Sequence, residues 1–189
     1  TPCGVAQGES QLDAYNKAYA TDPTSAFGGI MAFNTPLEAK TADKIVSQQF
    51  VEVLVAPSIT NDAFAFLRAK PNMRVLTCGQ LTQPIHSFTL HSISGGLLLQ
   101  QSDSQPLNPN QLRIVSRRQP THPELENLLF AWDVVKYVKS NAIVYAKDRA
   151  TIGIGSGQTS RIFAAKIAAL KAKEASLALQ GAAMASDAF

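Results

Sequence analysis

The sequence predicts an α/β protein built in three layers, and three observations carry that expectation. Strand-length apolar segments alternate with segments of helical periodicity along the chain. Val51–Ala56 is an apolar run bounded by Pro57, the pattern of a strand covered on both faces. A glycine-rich loop, Gly153-Ile154-Gly155-Ser156-Gly157, follows one apolar strand and opens a long alanine-rich helix.

Taken in order, Leu12–Ala20 reads as a short helix and Gly28–Phe33 as a strand. Pro36–Gln49 reads as a helix, with proline in the first turn, where it is tolerated, and Leu37, Ala42, Ile45 and Val46 as its apolar stripe. Asn61 or Asp62 is a candidate cap for a helix reaching Lys70, and Arg74–Thr77 a further strand. Ser92–Gln100 and Leu112–Ser116 complete the first half as strands. Between them Ser102–Asn110, polar and proline-bearing, reads as a surface loop. Pro123–Lys139 is a strong helix, with Leu125, Leu128, Leu129, Trp132, Val135 and Val138 at helical spacing. Asn141–Ala146 and Thr151–Ile154 read as strands, and Gln158–Ala175 as the glycine-opened helix. No short-period repeat runs through the chain.

Composition narrows the function classes. Only 16% of the 189 residues are charged, against roughly 25% in typical soluble domains, while the apolar fraction is an ordinary 46%. Little charge to cover the outside points to surface buried by a partner, most simply a second copy of the chain. The net charge of +3, from 17 basic and 14 acidic residues, suits anionic metabolites and falls short of a nucleic-acid-binding patch. Arg117-Arg118, the one basic doublet, reads as a solvated loop. Two cysteines, Cys3 and Cys78, make no disulfide framework and fit a reducing cytoplasm. No segment approaches the ~20 apolar residues of a membrane span, and no signal peptide opens the chain.

The region 139–161 holds the densest chemistry. Glycines let backbone N–H groups crowd an anion, a helix N-terminus adds partial positive charge, and Arg161 adds a full one. The competing reading is structural: glycines that merely let strand and helix pack closely. Asn141 opens an apolar strand, where an unpaired buried amide costs roughly 1–3 kcal/mol, so it either caps the preceding helix or grips a ligand. Glu52 sits between Val51 and Val53, so its carboxylate is either exposed or occupied. His86, His91 and His122 are scattered, with no Cys, Asp or Glu at metal-ligand spacing, and are left unassigned. A dinucleotide-binding module fits poorly, because no acid ends a strand about 20 residues beyond the glycine loop.

The strings Lys139-Ser140-Asn141-Ala142-Ile143-Val144-Tyr145-Ala146-Lys147 and Gly153 through Arg161 resemble the formyltransferase half of the bifunctional purine-biosynthesis enzymes, the AICAR transformylases. Thr1-Pro2-Cys3-Gly4-Val5-Ala6, Asp22-Pro23-Thr24-Ser25-Ala26-Phe27-Gly28-Gly29-Ile30 and Ala185-Ser186-Asp187-Ala188-Phe189 carry the same resemblance, with 50–57 and 94–98 in support. The resemblance implies two cytidine-deaminase-like subdomains in tandem, cut at both ends: 1–100, a linker at 101–122, and 123–189. It implies formyl transfer from 10-formyltetrahydrofolate as co-substrate to the ribotide AICAR, in a cytoplasmic homodimer, with no metal, nucleic acid or membrane involved. Zinc deaminases, which share that fold, need a His-x-Glu and a Pro-Cys-x-x-Cys, and Pro2-Cys3 continues as Gly4-Val5-Ala6.

By the same resemblance, substrate contacts fall on Phe27, Gly28, Glu52, Asn141, Ser160, Arg161, Ile162, Asp187 and Phe189, with Asn141 the one catalytic candidate. Thr159 stands where the family has glutamine or methionine. The family's Lys-His pair, a proton shuttle and an oxyanion stabiliser, precedes the segment that begins here at Thr1. An excised, catalytically silent structural core is therefore the alternative reading of the chain, beside an enzyme whose parent also carries a cyclohydrolase domain.

Overall fold

The computed structural model describes residues 1–80, 88–103 and 107–187. Phe189, a candidate ligand contact, and His86 lie outside the described residues. Among those described, six α-helices and eight strands alternate in an α/β arrangement of three sheets.

The first sheet is parallel, in the order β1 (Gly29–Ala32), β2 (Val51–Ala56), β3 (Arg74–Thr77). Parallel neighbours need crossovers, and α3 (Ala39–Gln48) and α4 (Asn61–Leu67) supply them. Both helices, with α1 (Gln11–Thr21), cover one face through a core of Tyr15, Leu37, Ala42, Ile45, Val51, Leu54, Ala56, Ala63 and Leu67. The expectation of two covered faces holds on that side only. Ile30 and Leu76 lie on the other face and are exposed.

Several boundaries differ from those expected, each for a local reason. The helix expected from Pro36 starts at Ala39, because Leu37 is used as a fully buried plug, bridged to Ile59. Its amide donates to the Ser58 carbonyl and its carbonyl accepts from Thr60 N–H. Thr60, rather than Asn61 or Asp62, caps α4, its hydroxyl accepting from Ala63 N–H, and the helix ends at Leu67. The strand expected at Ser92–Gln100 is a hairpin, β4 (Phe88–Ile93) and β5 (Gly96–Gln101), turning at Gly95 with φ +82°. Leu112–Ser116 forms no strand, and Leu112, Ile114 and Val115 are exposed. The loop before them closes with a 3-10 turn at Pro109–Gln111.

The second sheet is antiparallel, in the order β7 (Ala150–Gly155), β6 (Ile143–Lys147), β8 (Ala183–Ser186). The N-terminal segment extends it past β7: Ala6 bridges Ala150, Thr151 N–H donates to the Val5 carbonyl, and Gln7 N–H to that of Arg149. Helix α5 (His122–Val135) opens with a Thr121–Glu124 capping box, to which Arg118 adds a bidentate ion pair at 2.8 Å. Its buried face is Asn127, Phe130, Ala131, Val134 and Val135. Leu128 and Trp132, expected on the core stripe, are exposed. Helical spacing alone cannot choose between two adjacent apolar stripes.

Helix α6 (Arg161–Glu174) lies on β7 at very short range. A Cβ added at Gly155 would stand 1.9 Å from the Ala164 carbonyl oxygen, and one at Gly153 2.3 Å from that of Ala168. These two glycines permit helix–strand contact, as the structural reading of the loop holds.

Candidate active site

Four separated segments meet at one corner of the second sheet. The Gly157 N–H donates to the Lys139 carbonyl at 2.7 Å, with Gly157 at φ +62°. Asn141 and Gln158 exchange backbone hydrogen bonds at 3.1 and 3.3 Å, and Asn141 Nδ2 donates to the Gln158 carbonyl at 2.9 Å. Two amides at the end of the glycine loop therefore face protein carbonyls, and the loop fastens the start of β6 to the start of α6. Asn141 does not cap the preceding helix, which ends at Val135 with Lys136 as its cap. Its Oδ1 accepts no hydrogen bond among the described residues.

Ser160 is the N-cap of α6, its hydroxyl accepting from Phe163 N–H at 3.2 Å. Arg161 follows, and its Nε lies 3.2 Å from Asp187 Oδ1, on the segment leaving β8. Asp187 also accepts from Ala142 N–H at 3.1 Å and from the Ser140 hydroxyl. Burial pushes the Asp187 carboxyl up. The Ser140 hydroxyl, the Ala142 amide and the Arg161 guanidinium outweigh it and hold the group below the usual carboxylate value. Thr1 joins the corner through its hydroxyl, which accepts from Lys139 N–H at 3.3 Å. Ile162, beside Arg161, is exposed.

Phe27, Gly28 and Glu52 form a second group, at the edge of the first sheet. The Phe27 ring tilts against Phe50 with centroids 5.6 Å apart, yet remains 72% exposed. Gly28 takes φ +68° and donates its N–H to the Phe50 carbonyl at 2.9 Å. An added Cβ there would find its nearest neighbour, Glu52 Oε1, at an unstrained 3.8 Å. Glu52 is exposed and, with Phe50, Pro71, Asn72, Met73 and Arg74, lines an open depression of about 490 Å³. The structure thus brings Phe27, Gly28 and Glu52 together, and separately Asn141, Ser160, Arg161 and Asp187.

The last turn of α1 joins the two neighbourhoods. Thr21 donates its hydroxyl to the Thr151 carbonyl at 2.6 Å. Asp22 closes α1 and caps the short helix α2 (Pro23–Ala26), accepting from Ser25 N–H at 2.9 Å. Its other oxygen lies 2.6 Å from Lys171 Nζ, on α6. Burial pushes the Asp22 carboxyl up, and the Lys171 ammonium and the Ser25 amide and hydroxyl bring it below its ordinary value. Burial, reinforced by Asp22, raises the Cys3 thiol.

Sequence reasoning assigned nothing to Ser140, Gln158, Phe50, Asp22 or Lys171. Asp22 alone carried a readable signal, since Asp before Pro marks a capped helix start. Lys171 carried none, because 149 residues separate it from its partner. Among the described residues no group of three His, Cys, Asp or Glu side chains is placed to hold a metal ion. No helix there is long and apolar enough to cross a membrane.

Fold and site together define an α/β chain whose polar side chains gather where a glycine loop meets a helix N-terminus. Residues 1–171 match the family model described as the AICARFT/IMPCHase bienzyme. The chain belongs to that family, the bifunctional AICAR formyltransferase/IMP cyclohydrolase enzymes of purine biosynthesis.

Proposed function

We propose that this chain is part of the formyltransferase of that enzyme, and that its residues bind AICAR while a formyl group moves onto the 5-amino group from 10-formyltetrahydrofolate. The observation that carries the reading is the meeting of segments 1–6, 139–147, 153–161 and 185–187 at one corner. These are the segments in which the sequence resembles the formyltransferases. In this proposal Asn141 accepts from the substrate carboxamide through Oδ1, its Nδ2 being held by Gln158. Arg161, oriented by Asp187, supplies positive charge at the start of α6, beside Ser160 and Ile162. Phe27 and Gly28 flank the ribotide ring, and Glu52 meets its amino groups.

An aromatic amine conjugated with a neighbouring carboxamide is a poor nucleophile, so its proton must leave as nitrogen attacks the formyl carbon. The tetrahedral adduct then expels tetrahydrofolate and leaves the formamido ribotide. In this proposal the histidine of the Lys-His pair that the resemblance puts ahead of Thr1 takes this proton and returns it to the departing folate nitrogen, while the lysine steadies the oxyanion. The same proposal includes a homodimer, supported by the hairpin β4–β5, whose side chains are exposed throughout, among them Phe88, Leu90, Leu97 and Leu99.

The test is incubation of the intact enzyme with AICAR and 10-formyltetrahydrofolate, with mass-spectrometric detection of the formamido ribotide. Product formation lowered by Asn141→Ala is expected. Full turnover by the Asn141→Ala, Arg161→Ala double variant would remove the corner from the chemistry.

A further inference from the structure

The two groups of candidate ligand contacts sit on different sheets, so a substrate touching both needs their spacing held. Helix α6 bears Ser160 and Arg161 at its start and Lys171 ten residues on, about 15 Å along a rigid rod. It is fixed to β7 by the contacts at Gly153 and Gly155. Lys171 reaches from this rod to Asp22, which is 8% exposed and has both oxygens engaged. Five residues beyond Asp22 comes Phe27, through α2, a helix of four residues with no buried side chain. Core packing therefore does not hold that loop. Its ties are the Asp22 side-chain cap and the Ala26 N–H bond to the Asp22 carbonyl at one end, and the Gly28–Phe50 hydrogen bond with the Phe27–Phe50 ring contact at the other.

We propose that Lys171 is a positioning residue: through Asp22 it sets the Phe27–Gly28 loop at a fixed distance from the Asn141–Arg161 corner. The inference rests on the formyltransferase reading for its substrate, and on the geometry alone for the tether. An ammonium suits the task because it grips a carboxylate whose second oxygen is already committed to the cap.

The test compares Lys171→Met with Lys173→Met, the same charge loss two residues on at an exposed position of α6. Two readouts on the intact enzyme are needed, amide hydrogen exchange and formyl-transfer kinetics. Lys171→Met should speed exchange at Gly28 about tenfold, leave Ile152 in β7 unchanged, and raise the KM for AICAR about tenfold with kcat within about twofold. Lys171→Arg should recover most of the loss. Asp22→Asn, which keeps a capping side chain, should match Lys171→Met, with the double variant no worse than either single one. Lys173→Met should behave as the unaltered enzyme. Unchanged Gly28 exchange in Lys171→Met, or faster exchange with an unaltered KM, overturns the positioning role. If the unaltered enzyme transfers no formyl group while Gly28 exchange still responds to Lys171→Met, the tether stands and the formyltransferase reading falls.

Discussion

The corner around Asn141 and the edge around Phe27 are built in opposite ways. At the corner almost every polar group is spoken for: Asn141 Nδ2 by Gln158, both Asp187 oxygens by Ser140, Ala142 and Arg161, and the Ser160 hydroxyl by Phe163 N–H. At the edge, Phe27 is mostly exposed, Glu52 faces solvent, and one backbone hydrogen bond joins Gly28 to the neighbouring strand. The difference follows from the sheets beneath. β7 is buried along its whole length, whereas the parallel sheet keeps one face open. A preformed polar corner orients a ligand at little entropic cost, while an open aromatic edge adapts to it.

The glycines provide the strongest test of that contrast. Gly155→Ala forces a Cβ to 1.9 Å from a backbone oxygen that cannot move without shifting α6. It should destabilise by about 3 kcal/mol, the upper end for overpacking. Gly28→Ala makes only ordinary contacts, the nearest at 3.8 Å, and costs its left-handed backbone, about 1–2 kcal/mol. Urea unfolding of both variants checks the order, and equal losses would erase the distinction between a rigid and a tolerant region.

Next in size is Arg161→Ala. If the guanidinium meets ribotide as well as Asp187, the loss of a charge-assisted contact is roughly 1.5–3 kcal/mol, or about ten- to hundredfold in affinity. Calorimetric titration with AICAR reads this directly. Unchanged affinity would confine Arg161 to its ion pair with Asp187.

How much of this was legible in the sequence depended on the range of each interaction. The strand Val51–Ala56 was read with its observed bounds, because strand length, apolar content and a closing proline are local. The helix start near Leu37 was misplaced because a buried plug depends on its bridge to Ile59, whereas the Thr60 cap, which binds an amide three residues on, lay within local reach and Asn61 or Asp62 was chosen in its place. The Asn141 environment lay outside local reasoning. Its polarity at a strand start raised the question, but the answer needed Gln158, brought back by a glycine turn. Asp22 and Lys171 meet only through the tertiary fold.

The corner should yield a mixed signature in Asn141→Ala. The Nδ2 bond to the Gln158 carbonyl is part-buried, so its loss should cost about 1 kcal/mol of stability, seen as a lower melting temperature. If Oδ1 also grips the carboxamide, kcat/KM for AICAR should fall even at temperatures where the variant is fully folded. A small stability loss with full activity would make Asn141 a fastener of the glycine loop and nothing more.

Glu52→Gln is the mildest probe and falls on the other side of the comparison. The side chain is exposed on β2 and makes no hydrogen bond or ion pair among the described residues, so stability should stay within about 0.5 kcal/mol. Any effect must then appear in binding. A carboxylate accepts from amino groups at two oxygens, whereas glutamine offers one acceptor and presents a donor in place of the other. The KM for AICAR should rise a few-fold with kcat nearly unchanged if the carboxylate meets the carboxamide nitrogen, which takes no part in the attack, rather than the 5-amino nucleophile. A fall in kcat with constant KM would instead move Glu52 into the chemical step, and would make the open edge the more demanding half of the site.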